Sequence, residues 1–193
     1  MGKELHNLSQ EELGHLFPIE IAEPDEHWPA QYRSEKARLE RILGPLAGRI
    51  EHIGSTAVPG LAAKPTIDIL VEIPDESHAV EAIQKAMTAA GYIQMREQQD
   101  HLMFVKGYTL KGLAEQSVHI HMARRDQDAM WERVLFRDYL IRHPEAAEEY
   151  ARLKFELAFV HHYDREAYTK GKGDFVRRIT ERAKTENEEG RRF

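Results

Sequence analysis

The sequence predicts an α+β fold, on three observations. Short β-branched runs with alternating polarity lie between Ile50 and Met122. Helical periodicity takes over from Asp126 to the end. Gly- and Pro-marked turns, not long linkers, separate the runs. Strands first and helices afterwards suggest a small mixed sheet with helices on one face. The helical C-terminal half would close over the other face.

Each element has its own signal. Ser9-Gln10-Glu11-Glu12 is a capping box, which predicts a helix ending near Phe17, before Pro18. Ile19-Glu20-Ile21 predicts a short strand. Pro29 at a first helical turn opens a helix that runs to Leu43, where Gly44-Pro45 stops it. Ile50 and Ile53 mark a strand, Gly54-Ser55-Thr56 a turn, and residues 66–73 a second strand. Asp75 or Ser77 caps a helix through Ala90, with Gly91 as its stop. Residues 92–95 and 101–106 predict strands joined by a polar connection, residues 107–116 a loop, and residues 117–122 a last strand. Three helices follow, over about 128–142, 144–161 and 165–184. The organisation expected is an N-terminal helical extension over 1–18, a single domain over 19–185 and a frayed tail over 186–193.

Composition removes several classes of function. The chain has no cysteine, so disulfides, cysteine–zinc sites and thiol catalysis are excluded. A net charge of -6 argues against a general nucleic-acid surface, while leaving room for a local basic pocket. No apolar run reaches the ~18 residues of a membrane span, and the first residues lack the apolar core of a signal peptide. A cytoplasmic location is the expectation. The sequence does not fix the oligomeric state.

The chemistry is concentrated in IEHIGSTAVPGLAAKPTIDILVEI, residues 50–73. Glycine lets a phosphate approach the backbone at Gly54, and Ser55 and Thr56 add hydroxyl donors. On the strand after it, Ile67, Ile69, Val71 and Ile73 face one way; Thr66, Asp68, Leu70 and Glu72 face the other. Asp68 in a β-branched strand calls for a cation, a set of donors or a metal. His119 and His121 are two apart, so both imidazoles point to one side of their strand. If that strand neighbours Asp68, the three residues can ligate one metal, and imidazole shifts preference from Mg²⁺ towards Mn²⁺ or Zn²⁺. Either histidine can instead serve as a general base or phosphate donor. Lys64, Lys106, Arg137, Lys154, Lys170 and Lys172 are candidate anion ligands. His161-His162 diverge by ~100° on a helix and read as helix-end residues rather than a chelating pair. The Arg191-Arg192 pair reads as solvated.

The Gly-Ser turn followed by a strand Asp is similar to the signature of the nucleotidyltransferase superfamily. HIGSTAVPGLAAKPTIDILV resembles the hallmark of the GrpB-like branch, supported by Phe104-Val105-Lys106, His119-Ile120-His121, Phe136 to Leu140, and Tyr150 with Leu153-Lys154. The resemblance implies a nucleotidyltransferase-like sheet with a cleft beneath the C-terminal helices. It implies a nucleotide or other phosphate-bearing small molecule as ligand. Gly54, Ser55, Thr56, Lys64, Lys106, Arg137 and Lys154 would hold it, and Asp68 would bind divalent metal, Mg²⁺ or Mn²⁺, with Zn²⁺ as the alternative. Two departures stand out. The superfamily's second acid falls at Leu70, and Glu72 lies ~13 Å along the strand from Asp68, too far to share an ion. Three activities therefore stay open: metal-dependent nucleotidyl transfer, non-catalytic binding of a nucleotide or CoA precursor, and a metal enzyme using Asp68, His119 and His121.

Overall fold

The computed structural model describes residues 8–95 and 101–190. Five strands are named in chain order: β1 (Ile50–Ile53), β2 (Thr66–Glu72), β3 (Ile93–Gln94), β4 (Leu102–Thr109) and β5 (Gly112–Ala123). They form one mixed sheet in the order β1-β2-β5-β4-β3. The β2–β5 pair is parallel, and the other neighbours are antiparallel. Among the described residues seven α-helices surround it: α1 (Gln10–Leu16), α2 (Trp28–Leu43), α3 (Ser77–Ala89), α4 (Asp128–Arg142), α5 (Pro144–Val160), α6 (Arg165–Gly171) and α7 (Gly173–Gly190).

Strand alternation divides the core. Ile67, Ile69 and Val71 of β2, with Val118, Ile120 and Met122 of β5, pack against Leu39 and Leu43 of α2 and Ile83 and Met87 of α3. On the opposite face Ile53, Leu70 and Ala123 are covered by Met130 and Val134 of α4. Farther out, Phe136, Leu140, Tyr150, Phe175 and Ile179 knit α4, α5 and α7 together. The fold is thus α+β with helices on both faces, and α4–α7 form the cover expected of the C-terminal half.

Several local expectations need correction. Residues 19–21 are not a strand; that segment contributes one isolated bridge, Ala22 to Ala63. The backbone there is bonded elsewhere, with the Ile19 N–H donating to the His162 carbonyl at 2.7 Å. The segment 107–116 is not a loop but the outer part of the β4–β5 hairpin. Its polar sequence misleads because it extends past the core, with Ala114 and Glu115 exposed. The helix expected over 165–184 is broken at Lys172, between Gly171 and Gly173, and α7 continues to Gly190 rather than fraying from Glu186. Arg191-Arg192 and the connection 96–100 lie outside the described residues. Neither Asp75 nor Ser77 caps α3: its N-cap is Glu76, without a side-chain bond, and Asp75 pairs with Arg124 at 3.0 Å.

The capping box of α1 forms as the sequence predicts, with Ser9 Oγ accepting from the Glu12 N–H at 3.1 Å and Glu12 Oε2 accepting from the Ser9 N–H at 2.9 Å. This helix packs on its own chain. Gly14 lies so close to the Tyr163 carbonyl that a Cβ would overlap it, and the Phe17 ring meets Tyr108 edge-on at 4.8 Å.

Candidate functional site

β2 and β5 run in parallel with Asp68 opposite His119 and Leu70 opposite His121. All four side chains therefore leave the sheet on the α4 side. His119 Nδ1 lies 3.0 Å from Asp68 Oδ1, and its Nε2 lies 2.6 Å from the Tyr108 hydroxyl. A carboxylate only accepts, so His119 donates its Nδ1–H to Asp68, while its Nε2 is bonded to the Tyr108 hydroxyl. Arg165 Nη2 stands 3.5 Å from the same hydroxyl. The result is a continuous polar line, Asp68–His119–Tyr108–Arg165.

Tyr108 was not visible as a site residue in the sequence, and a β-bulge explains why. The β4–β5 register shifts between Lys106 and Tyr108. Gly107, with φ +83°, supplies the backbone for the shift, and a Cβ there would strike the Gln116 carbonyl. Without the bulge, Tyr108 would share a face with Lys106. The glycine inside a strand-like run was the available signal.

Strand alternation, with Leu102 and Phe104 on the same face, keeps Lys106 out of the site. Lys106 lies on the α2 side, where its Nζ pairs with the buried Glu35 at 2.7 Å, and Tyr92 donates to the same carboxylate. Arg137 is likewise engaged: it reaches Glu51 and the His52 carbonyl at 2.7 Å each, and Asp138. These bonds tie α4 to β1. The Thr56 hydroxyl donates to the Thr66 carbonyl at 3.2 Å and accepts from His52 Nε2 at 3.1 Å, so it braces the turn. His52 is stacked on Tyr32, and burial depresses its pKa to about 4 despite the attraction of Asp68.

Gly54 and Lys64 remain near Asp68, joined by Lys172, with Ser55 and Lys154 adjoining through Tyr150. Gly54 has φ +72°, and a Cβ on it would overlap the Asp68 carboxylate. Ser55 lies beside the buried Tyr150 hydroxyl. Lys154 is almost fully buried; its Nζ donates to the Ala62 carbonyl and sits 4.8 Å above the Tyr150 ring. Lys64 and Lys172 approach the Tyr168 ring at 5.5 and 4.3 Å. Among the described residues neither has an ion pair. Lys170, by contrast, is exposed on α6.

The electrostatics agree with this crowding. Burial, then repulsion from Arg165 and Lys172, lowers Lys64 to about 8. Burial and Lys172 lower Lys154 to about 7. Burial lowers Lys172 to about 8, with Arg165 adding to the effect and Asp68 opposing it. Lys64 and Lys172 thus both feel the charge of Asp68. Burial alone would raise the Asp68 pKa, but the hydrogen bond and charge of His119, with His121 and Lys64, hold it at about 2.

That depression makes a stability prediction. A carboxyl at about 2 in the folded chain and 3.8 otherwise stabilises the fold above about pH 4; the contribution is lost as pH falls through about 2. Its size is roughly 2 kcal/mol. Urea unfolding between pH 5 and 2 should therefore show a steep loss in the native chain and a shallower one in Asp68→Asn. Equal slopes would mean that Asp68 is not held by His119.

His121 is placed differently from His119. It is buried, with Nδ1 3.2 Å from His101 Nε2 and Nε2 3.2 Å from Arg133 Nη1. Burial, then Arg133, lowers its pKa to about 3. The guanidinium donates to Nε2, and Nδ1 faces His101, so both nitrogens of His121 are engaged. Both nitrogens of His119 are also engaged. Among the described residues no group of three or more His, Asp or Glu is arranged to hold an ion. The Asp68–His119–His121 set therefore does not fit a three-ligand metal centre. Asp68 alone fits the looser demand of Mg²⁺ or Mn²⁺, which take one or two carboxylates together with substrate phosphates.

The class defined by fold and site is an α+β domain of nucleotidyltransferase-like fold, with a strand carboxylate, Asp68, bonded to His119 and near Lys64 and Lys172. The chain belongs to the GrpB family, whose model, described as GrpB protein, matches residues 18–182. It is 38% identical over 173 residues to the UPF0157 protein YqkA of Bacillus subtilis, covering 88% of this chain and 49% of that one. The chain therefore spans about half of YqkA. Over 90 residues, 45% of this chain and 22% of the other, it is 39% identical to the dephospho-CoA kinase of Mycolicibacterium paratuberculosis. The crystal structure of the conserved protein GrpB from Enterococcus faecalis superposes with a TM-score of 0.76 at 30% identity, covering 87% of this chain and 99% of that one. No helix among the described residues is long and apolar enough to cross a membrane.

Proposed function

We propose that the cleft binds the phosphates of a nucleotide or related phosphate ester between the Gly54-Ser55 turn, Asp68, Lys64, Lys154 and Lys172, and that nucleotidyl transfer is its chemistry. The observation that carries this reading is the lysine cluster. Three lysines with depressed pKa values lie together, two of them, Lys64 and Lys172, within reach of the Asp68 charge but without an ion pair among the described residues. A bound polyanion would supply the missing charge. The resemblance of the Gly-Ser turn and strand Asp to the nucleotidyltransferase signature supplies the reaction class. Asp68 would hold Mg²⁺ or Mn²⁺ jointly with phosphate oxygens. The ion would neutralise developing charge and align an in-line displacement. Ser55 and the lysines orient the phosphates, and His119 fixes the Asp68 carboxylate.

A second reading rests on Leu70. The position of a second strand acid is sealed in an apolar cluster, which favours binding without turnover. The similarity to part of a dephospho-CoA kinase makes a CoA precursor a reasonable ligand for that case. Phosphorus NMR of the protein with ATP and Mg²⁺ separates the two. New phosphorus signals mean transfer, and an unchanged ligand over hours means a binding module.

Binding itself makes a pH prediction. A phosphate ligand raises the pKa values of Lys64 and Lys172 from about 8, so at pH 8 binding should take up about one proton. Calorimetry in buffers of different ionisation enthalpy measures this directly. Affinity should fall as pH rises from 7 to 10, and Lys172→Gln should weaken ATP at least tenfold. At 100 times its Kd the nucleotide should stabilise the fold by ~2.7 kcal/mol, roughly 5–10 °C in Tm. No proton uptake and no loss in Lys172→Gln would remove the phosphates from this cleft.

A further inference from the structure

A cavity of about 250 Å³ lies between the N-terminal segment and the β4–β5 hairpin. Its polar lining includes Lys64, Thr66, Tyr108 and Arg165. Leu16 and Leu113 supply apolar wall. Glu20 also lines it but is solvent-exposed, which weakens its repulsion of an anion. We infer that this cavity is a second ligand site, for a small molecule carrying a phosphate or carboxylate at one end and a short apolar body at the other.

Donor capacity and shape both suit such a ligand. Arg165 donates from Nη1 to the Phe17 carbonyl at 2.8 Å, and its Nη2 reaches the Tyr108 hydroxyl only at 3.5 Å. A guanidinium has five N–H donors, so it retains capacity for a forked anion contact. Lys64 is half-buried, and among the described residues it has neither an ion pair nor a hydrogen bond. Its depressed pKa, about 8, agrees with a missing anion. Leu113 is 40% exposed, apolar surface that a ligand body would cover. Tyr108 is the wall shared with the Asp68 site, since its hydroxyl is bonded to His119. A ligand here would lie one side chain away from His119.

This inference goes beyond the nucleotide reading and does not need it. The two sites share Lys64, but the nucleotide site depends on Lys172 and Lys154, and the cavity on Arg165 and Leu113. The test is calorimetric titration of the full chain with phenyl phosphate and, separately, orthophosphate. Phenyl phosphate should bind several-fold more tightly than orthophosphate. Leu113→Ser should remove that preference while leaving orthophosphate affinity within twofold. Arg165→Gln should weaken phenyl phosphate at least tenfold, and Lys172→Gln should change it less than twofold. Leu113 is exposed, so its substitution leaves the fold intact even if Arg165→Gln loosens the N-terminal segment. Equal affinity for the two phosphates, or a phenyl phosphate affinity that follows Lys172 and ignores Arg165 and Leu113, would overturn the inference. So would an absence of phenyl phosphate binding at millimolar concentration. Failure here leaves ATP binding and its Lys172 dependence untouched, so the two readings fail separately.

Discussion

Leu70→Asp is expected to destabilise the chain by at least 4 kcal/mol, enough to unfold much of the population. The substitution installs the acid that the nucleotidyltransferase pattern calls for, at the place the pattern puts it. Leu70 is fully buried, packed with Ile53, Ala123, Met130 and Val134. Removing its side chain alone should cost about 2–5 kcal/mol through lost packing and the cavity left behind. The carboxylate would then be buried among apolar groups, two residues from Asp68 on the same strand face, with its solvation lost and a like charge nearby. A domain of ordinary stability has about 5–15 kcal/mol in total. Leu70→Met, which conserves volume, should cost less than about 1.5 kcal/mol. Urea unfolding of the three proteins checks the series. A folded Leu70→Asp within 1 kcal/mol of native would mean that α4 does not seal the position. In that case the single-acid character of the site would be a matter of sequence rather than of packing.

The same residue shows how far the sequence carries. Alternation along β2 put Asp68 and Leu70 on the face opposite Ile67, Ile69 and Val71, and that is the arrangement found. Strand alternation is a local property, and local properties are legible. His119 opposite Asp68 is a matter of register between strands 51 residues apart. The His-x-His spacing showed that both imidazoles share a side, but not that Arg133 from α4 would occupy His121. Lys106 illustrates the converse. It shares the inner face of β4 with Leu102 and Phe104, and there Glu35 on α2 takes its charge. Lys154 lies on α5, and only the packing of that helix over the Ala62 carbonyl shows it buried. Lys172 became conspicuous where one expected helix broke into two. In each case the missing information was a contact between distant elements, which neither propensity nor periodicity encodes.

Gly54→Ala should lower stability by about 3 kcal/mol, roughly 6–12 °C in Tm, and should weaken any phosphate ligand of the cleft. Two costs combine. Gly54 has φ +72° and ψ -174°, a region essentially confined to glycine, and an L-residue there costs about 1–3 kcal/mol. The new Cβ would also meet the Asp68 carboxylate and its Cβ. Either β1 withdraws from β2 at the Ile53–Asp68 pair, or Asp68 turns away from His119. Gly60→Ala is the control, because Gly60 has φ +73° and open space around its Cβ position. It should show the backbone cost alone, on the order of 1–2 kcal/mol. The difference between the two variants reports the displacement of Asp68. The acid limb of stability should distinguish them as well. In Gly60→Ala the loss between pH 4 and 2 should match the native chain, whereas in Gly54→Ala a displaced Asp68 should lose its support from His119 and give a shallower limb. Matching costs and matching acid limbs would mean that the turn and the carboxylate are independent. The close approach of Gly54 would then serve the chain path rather than the position of Asp68.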